Sequence, residues 1–239
     1  YLATGVNGGN GVQVSTGPVL TATPAVGSHS FQRPDGQFVT ITASSTTTNI
    51  YDPATNSFST GPVLTATPAA GSHSFQQPDG KFVTVLGNNL ATTNIYDPAT
   101  NSFSTGPVLS TLAGSGAHTI QRTDGKFVTI IGNTVTATSI YDPYTNAFSA
   151  GPVLSAAASN SAHSFQRPDG RYVTIIGSGT TTNIYDPTTN SFSAGQALSG
   201  SAGAGNHSFQ RPDGKFIIIH GNAVTTTSIY DPAANSFST

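Results

Sequence analysis

Residues 73–104, HSFQQPDGKFVTVLGNNLATTNIYDPATNSFS, recur along the chain with a nearly constant period. A Tyr-Asp-Pro triplet repeats at intervals of 45, 45, 44 and 45 residues, beginning at Tyr51, Tyr96, Tyr141, Tyr185 and Tyr230. A His-(Ser or Thr)-(Phe or Ile)-Gln tetrad follows the same period, beginning at His29, His73, His118, His163 and His207. A fixed period of this length indicates a repeat architecture, in which neighbouring units bury each other's apolar faces.

Each repeat contains four segments that favour short β-strands. In the second repeat, residues 72–76 and 81–86 flank a Pro-Asp-Gly turn, in which proline presets the first turn position and glycine accepts a left-handed conformation. The strand at 81–86 is apolar on both sides, so both of its faces are expected to be buried. Residues 92–96 are rich in β-branched side chains, and the more polar strand at 101–104 follows them. No segment shows helical periodicity.

Four short strands in a period of about 45 residues predict an all-β fold, a five-bladed β-propeller of four-stranded antiparallel blades over residues 17–239. Stacking the blades around an axis would bury both faces of each one. A flat β-solenoid is the alternative, although its repeats are usually shorter. Residues 1–16 are assigned as a surplus N-terminal outer-strand segment, because residues 6–18 align with residues 50–62. Either this segment or the outer strand at residues 228–239 is left without a place in the last blade.

The repeat resembles the kelch motif, in the form seen in the propeller domain of galactose oxidase-like proteins. The resemblance is carried by the Lys-Phe-Val-Thr-Ile-Ile-Gly strand at residues 126–132 and by Ile-Tyr-Asp-Pro-x-Thr-Asn-x-Phe, and it extends over residues 17–239. Single glycines, such as Gly87 and Gly132, stand where this family usually has a pair. The usual tryptophan is replaced by phenylalanine in every repeat: Phe58, Phe103, Phe148, Phe192 and Phe237. The copper chemistry of galactose oxidase requires a tyrosine–cysteine cofactor, and this chain contains no cysteine.

Composition excludes two classes of partner. Charged residues make up 8% of the chain and the net charge is −2, so the basic surface that a nucleic-acid binder needs is missing. No apolar run approaches the roughly 18 residues of a membrane span, so membrane insertion is not expected. The low charge, the abundance of Ser, Thr, Asn and Gly, and a start at Tyr1 without any methionine lead us to expect a processed, secreted protein of the extracellular space or cell surface.

The charged side chains and five of the six histidines follow the repeat, and His220 alone lies outside it, so no catalytic residues, metal site or cofactor are predicted. All ten acidic residues are aspartates, which favour turns because they accept hydrogen bonds from nearby backbone N–H groups. One set follows the repeated tyrosine, Asp52, Asp97, Asp142, Asp186 and Asp231, and the other lies in the Pro-Asp-Gly turn or its equivalent, Asp35, Asp79, Asp124, Asp169 and Asp213. The repeated histidines are expected to pack or hydrogen-bond between blades, since groups on five separate blades form a poor metal ligand set.

The sequence favours a non-enzymatic structural or adhesive protein that assembles with copies of itself. The surplus segment carries Leu2, Val6, Val12 and Val14, which suit it to add as a strand to another molecule's sheet. Outer segments such as residues 101–105 contain no charge, whereas natural edge strands are usually blunted. Head-to-tail addition does not close and would build a filament. The alternative that the segment lies along its own propeller or is disordered remains open.

A multivalent lectin with one site per blade is the second functional hypothesis, because equal repeated sites give avidity for repeated glycans. The candidate ligand-binding side chains occupy matching loop positions: Asn88, Asn133, Ser178 and Asn222. An engineered symmetric scaffold is a third possibility, although the loops between repeats are irregular. The two functional hypotheses differ in their partner, which is another copy of the chain in the first case and a glycan in the second.

Overall fold

The computed structural model describes residues 16–239, and this part of the chain is all-β, as predicted. It forms five sheets of four antiparallel strands, which are the blades of a five-bladed β-propeller. No helix that could cross a membrane occurs among these residues. Leu2, Val6, Val12 and Val14, the predicted assembly residues, lie outside the described residues.

Within every blade the four strands are neighbours in chain order. Blade 1 contains β1 (His29–Gln32), β2 (Phe38–Ile41), β3 (Thr47–Asp52) and β4 (Ser57–Val63). Blade 2 contains β5 (His73–Gln76), β6 (Phe82–Val85), β7 (Thr93–Asp97) and β8 (Ser102–Thr105). Blade 3 contains β9 (His118–Gln121), β10 (Phe127–Ile130), β11 (Thr138–Asp142) and β12 (Ala147–Ala150). Blade 4 contains β13 (His163–Gln166), β14 (Tyr172–Ile175), β15 (Thr182–Asp186) and β16 (Ser191–Ala194). Blade 5 contains β17 (His207–Gln210), β18 (Phe216–Ile219), β19 (Thr227–Asp231) and β20 (Ser236–Ser238).

The Pro-Asp-Gly turn connects the first two strands of a blade as the sequence predicts. In blade 2, the Gly80 N–H donates to the Gln77 carbonyl oxygen at 3.0 Å, and the Gln77 N–H donates to the Lys81 carbonyl oxygen at 2.8 Å. Gly80 has a φ of 86°, a left-handed conformation that glycine adopts without strain. Asp79 Oδ1 accepts from the Lys81 N–H at 3.0 Å. Local turn chemistry therefore sets the register of the hairpin.

Each blade has a forward face, which in blades 1 to 4 packs against the next blade, and a backward face, which in blades 2 to 5 packs against the preceding blade. Phe31 on the forward face of blade 1 stacks on Phe82 of blade 2 with ring centroids 4.2 Å apart, and it lies 5.4 Å from the ring of Tyr96. Phe75 and Phe165 make the same contacts with blades 3 and 5, on Phe127 and Tyr141 and on Phe216 and Tyr230. Ile120 takes the phenylalanine position between blades 3 and 4, in an apolar cluster with Tyr185.

The apolar core therefore consists of similar layers between successive blades. These layers join blade 1 to 2, 2 to 3, 3 to 4 and 4 to 5. Within residues 16–239, no apolar cluster, aromatic pair or hydrogen bond joins blade 5 to blade 1. The forward face of blade 5 and the backward face of blade 1 thus have no blade packed on them in the described part of the chain.

Candidate interaction surfaces

The repeated histidines lie on the first strand of each blade, and three of them hydrogen-bond to the next blade. In His29, His73 and His118, Nδ1 lies 2.9 to 3.0 Å from the carbonyl oxygen of the glycine two residues earlier. Their Nε2 atoms lie 2.8 Å from a hydroxyl of the following blade, on Ser74, Thr119 and Ser164 respectively. Because a carbonyl oxygen only accepts, Nδ1 donates and the hydroxyl donates to Nε2 of the neutral ring.

Burial keeps these imidazoles neutral. It lowers the pKa of His73 to about 3 and the pKa of His118 to about 4, because the charged ring loses its hydration between the blades. The pKa values of His29 and His163 are lowered by the same cause. His163 has both ring nitrogens buried without a hydrogen-bond partner in the described structure, whereas His207 is exposed. No group of three or more His and Asp side chains within residues 16–239 is arranged to hold a metal ion.

The aspartates that follow the repeated tyrosine lie at the turn between the third and fourth strands. In each of Asp52, Asp97, Asp142, Asp186 and Asp231, Oδ1 accepts from the backbone N–H two residues later, at 2.8 to 3.0 Å. The last four also pair with a cation that immediately precedes the second strand of their own blade, at 2.8 to 3.1 Å. In Asp97, Asp142 and Asp231 this lysine contact is the largest cause of a lowered pKa. These carboxylates are therefore bound to their own turn and, in four of the five, to a cation of their own blade.

A second contact between blades, which the sequence analysis did not identify, joins an arginine to an asparagine 68 residues later. Arg33 Nη1 donates to Asn101 Oδ1 at 3.2 Å, and Arg167 Nη1 donates to Asn235 Oδ1 at 2.9 Å. Arg122 contacts Asn190 in the same way. In blade 2 glutamine replaces the arginine, and Tyr141 Oη donates to Gln77 Oε1 at 2.9 Å. The signal available in the sequence was an arginine two residues before the turn aspartate and an asparagine five residues after the tyrosine.

The predicted ligand-binding positions all lie in the loop between the second and third strands. Asn88, Ser178 and Asn222 are exposed and Asn133 is half-buried. The three asparagines have φ values of 58°, 56° and 54°, a left-handed conformation that asparagine tolerates better than most residues. The backbone therefore accounts for the residue type, while the exposed side chains are accessible to solvent on separate blades.

Two open clefts of about 480 Å³ lie at equivalent places between blades, beside the Pro-Asp-Gly turns. The cleft between blades 1 and 2 is lined by Arg33, Lys81 and Asp97 among others. The cleft between blades 4 and 5 is lined by the corresponding Arg167, Lys215 and Asp231. Both clefts thus combine cationic and carboxylate groups that are already paired with each other.

The fold and these surfaces define a class of protein, a propeller built from near-identical blades. A comparison of the chain with protein-family models and with curated proteins found no match. Any functional conclusion therefore comes from the surfaces themselves.

Proposed function

We propose that this protein is a non-enzymatic extracellular structural or adhesive module of the kelch type, which assembles head to tail with copies of itself. The observation that carries the proposal is the character of the fourth strand of every blade. This strand is an edge of its sheet in all five blades. It contains no charged residue in any of them.

These edges have few of the features that prevent strand addition in natural sheets. In β8 the residues Ser102, Ser104 and Thr105 are exposed and only Phe103 is half-buried against the blade. Edge strands are commonly protected by lysine, proline or inward-pointing charge, and among the five fourth strands only β4 contains a proline, Pro62. An extended segment of another molecule would find unpaired backbone groups and small side chains there.

The segment that we propose to add is residues 1–16, which carry Leu2, Val6, Val12 and Val14. The alignment of residues 6–18 with the third and fourth strands of a blade supports this role, because the segment then carries the pattern of a strand that belongs beside another sheet. Addition of this segment to a second copy is a heterologous contact and continues from copy to copy. The low charge of the chain, 8%, leaves little repulsion between the copies.

Negative-stain electron microscopy of the full chain beside a variant lacking residues 1–16, at equal concentration and salt, tests this proposal. We expect filaments of variable length from the full chain and fewer, shorter assemblies from the truncated one. The truncation removes only Thr16 from the described residues, so the blades themselves are unchanged. Single particles in both samples, or assemblies of equal number and length in both, would refute assembly through the terminal segment.

A multivalent lectin is the second candidate, and the two clefts between blades favour it. Their equivalent positions and their mixture of Arg, Lys and Asp groups suit hydroxyl-rich ligands. The exposed Asn88, Ser178 and Asn222 lie at the opposite end of the antiparallel blades and form a separate set of hydrogen-bonding groups. A glycan array probed with the chain lacking residues 1–16 tests this candidate. Binding that falls in the double variant K81A/K215A, altered in the two clefts, or in N88A/N222A, altered in the loops, would support it, and an array without signal would dismiss it.

A further inference from the structure

The forward face of blade 5 carries the side chains of a blade interface without a blade against them. Phe209 is 50% exposed, whereas its counterpart Phe165 is 9% exposed beneath blade 5. Arg211 has 40% of its side chain exposed, whereas Arg33, the first of the arginines that reach across to a following blade, has 12% exposed. His207 is exposed and its only side-chain hydrogen bond in the described structure is to the Gly205 carbonyl oxygen.

The apolar part of this face is uncovered as well. Ile217 and Ile219 on β18 are half-buried. The side chains at the Ile217 position in the other blades are all fully buried: Val39, Val83, Val128 and Val173. The forward face of blade 5 therefore combines exposed apolar surface with an imidazole and a guanidinium at the positions that make contacts between the other blades.

The backward face of blade 1 shows the complementary set. Tyr51 is half-buried, whereas the equivalent tyrosines of the other four blades are 0% exposed. Phe38 and Thr40 are also half-buried, although Phe82 and Thr84 at the same positions in blade 2 are buried. Ser30 is exposed, while Ser74, its counterpart, receives the histidine of the preceding blade.

From these two faces we infer that blade 5 of one copy of the chain binds blade 1 of a second copy, repeating the interface that already joins neighbouring blades. Every contact has a template within the chain. His207 takes the place of His29 and meets the Ser30 hydroxyl, and Phe209 stacks on Phe38 as Phe31 stacks on Phe82.

The polar rim of the interface follows the same template. Arg211 donates to Asn56 Oδ1, as Arg167 does to Asn235. In the described structure Asn56 accepts a side-chain hydrogen bond from Tyr51 alone, while Asn235 accepts from both Tyr230 and Arg167. The acceptor for Arg211 is thus already positioned on blade 1.

A second copy is the occupant because each of the two faces matches the face that covers its counterparts elsewhere in the chain. Within residues 16–239 the two faces make no contact with each other, so we assign their contact to two molecules. The two faces differ, and each copy that docks presents a further free face, which makes the contact heterologous and self-propagating. The inference shares with the proposed function the association between copies of the chain. It involves the faces of blades 5 and 1, which are a different surface from residues 1–16.

Sedimentation velocity over a concentration series tests the docking, with Phe209→Asp as the disrupting variant and Tyr144→Asp as its matched control. Tyr144 is an aromatic side chain, 83% exposed, and lies on the turn between β11 and β12, away from both faces. We expect the wild type and Y144D to associate with rising concentration and F209D to raise the apparent dissociation constant at least about tenfold. A wild type that stays monomeric at every concentration, or equal association of F209D and wild type, would overturn the inference.

A mixing experiment identifies the two faces directly. Both variants are made in the chain lacking residues 1–16, so that strand addition does not contribute. Ser30→Arg blocks the backward face of blade 1 at an exposed position, and Phe209→Asp blocks the forward face of blade 5, so each variant alone should remain monomeric. Mixed in equal amounts they should form a one-to-one dimer that grows no further, because only one intact forward face and one intact backward face remain in each pair. A mixture that stays monomeric would contradict the inference. Circular dichroism spectra that match the wild type establish that both variants are folded.

Deletion of residues 1–16 separates this inference from strand addition. Association lost in the truncated chain but retained by F209D would support the terminal strand and refute docking between blades 5 and 1. Association lost in F209D but retained by the truncated chain would support the docking and refute the terminal strand.

Discussion

Acidification from pH 7 to pH 5 is expected to destabilise the propeller by about 4 kcal/mol through His73 and His118 alone. Their folded pKa values, about 3 and about 4, lie below the ordinary histidine value of 6.5. The unfolded chain therefore binds protons first, and the stabilising effect of the neutral rings is complete above about pH 6.5 and decreases as the pH falls toward the folded values. Over the interval from pH 7 to 5 the unfolded imidazole becomes protonated while the folded one stays neutral, which amounts to about 2 kcal/mol for each residue.

Other titratable groups do not reverse the change in stability that the buried histidines cause between pH 7 and pH 5. The lowered pKa values of His29 and His163 act in the same direction. The lowered pKa values of Asp97 and Asp142 start from 3.8, so their effect on stability is lost mainly below pH 4, where these carboxylates become protonated. The pH window from 7 to 5 thus reports mainly on the buried imidazoles.

Urea unfolding followed by far-ultraviolet circular dichroism at pH 7 and pH 5 measures the effect, since the chain contains no tryptophan. The double variant H73Q/H118Q retains polar side chains at these positions but cannot titrate. Its free energy of unfolding should fall by about 4 kcal/mol less than that of the wild type between the two pH values. H207Q, altered at an exposed histidine, is the control. Equal free energies of the wild type at the two pH values, or an undiminished decrease in H73Q/H118Q, would refute the role of the buried rings.

Two further predictions concern contacts within and between the blades. Tyr141→Phe removes the hydroxyl that hydrogen-bonds to Gln77 across the interface and should lower the free energy of unfolding by about 1–3 kcal/mol. Tyr51→Phe, which removes a hydroxyl bound only to an exposed asparagine, should cost less, and equal losses in urea unfolding would contradict this reasoning. Gly132→Ala should reduce the thermal midpoint because Gly132 has φ +68° and an added Cβ would lie 2.3 Å from a backbone oxygen. Gly125→Ala, with φ +83° and no atom within 4 Å, should cost only the strain of about 1 kcal/mol, and a larger loss than in Gly132→Ala would refute the steric argument.

The fold could be predicted from the sequence because each repeat contains recognisable turn and strand residues, and because these recur at a constant spacing. Turn residues such as Asp79 and Gly80 fix the hairpins, and the five-fold recurrence of the tyrosine fixes the number of blades. The partners across the blade interfaces were harder to predict. Arg33 and Asn101 are separated by 68 residues, and the alignment of repeats identifies equivalent positions without showing which of them meet. Their contact depends on the rotation between blades, which follows from packing rather than from any local pattern.

The histidines and loop asparagines also show the difference between what a local sequence pattern predicts and what depends on the packing of the blades. Histidine was expected between blades, and the hydroxyls that three of the five repeated histidines contact are visible only in three dimensions, as for His73 and Thr119. The loop asparagines were chosen for their hydrogen-bonding groups, but the structure supplies a backbone reason for them as well, since Asn88 and Asn222 adopt left-handed conformations. Whether these side chains bind a ligand is a separate question that the glycan array addresses.

In a chain of near-identical repeats, the solvent exposure of equivalent side chains can be compared directly. Such a comparison is rarely available in a domain without repeats. Tyr51 and Tyr96 occupy the same local sequence, so the difference in their burial reflects only the presence or absence of a neighbouring blade. Blade 5 carries Phe209 and Ile217 at its forward face, at the positions that the other blades use for contacts with the next blade. Because the sequence of that face encodes the same contacts as the internal interfaces, the free energy that stabilises neighbouring blades is also available to join copies of the chain. The association between copies that we propose would then follow from the repeat itself, without an additional binding motif.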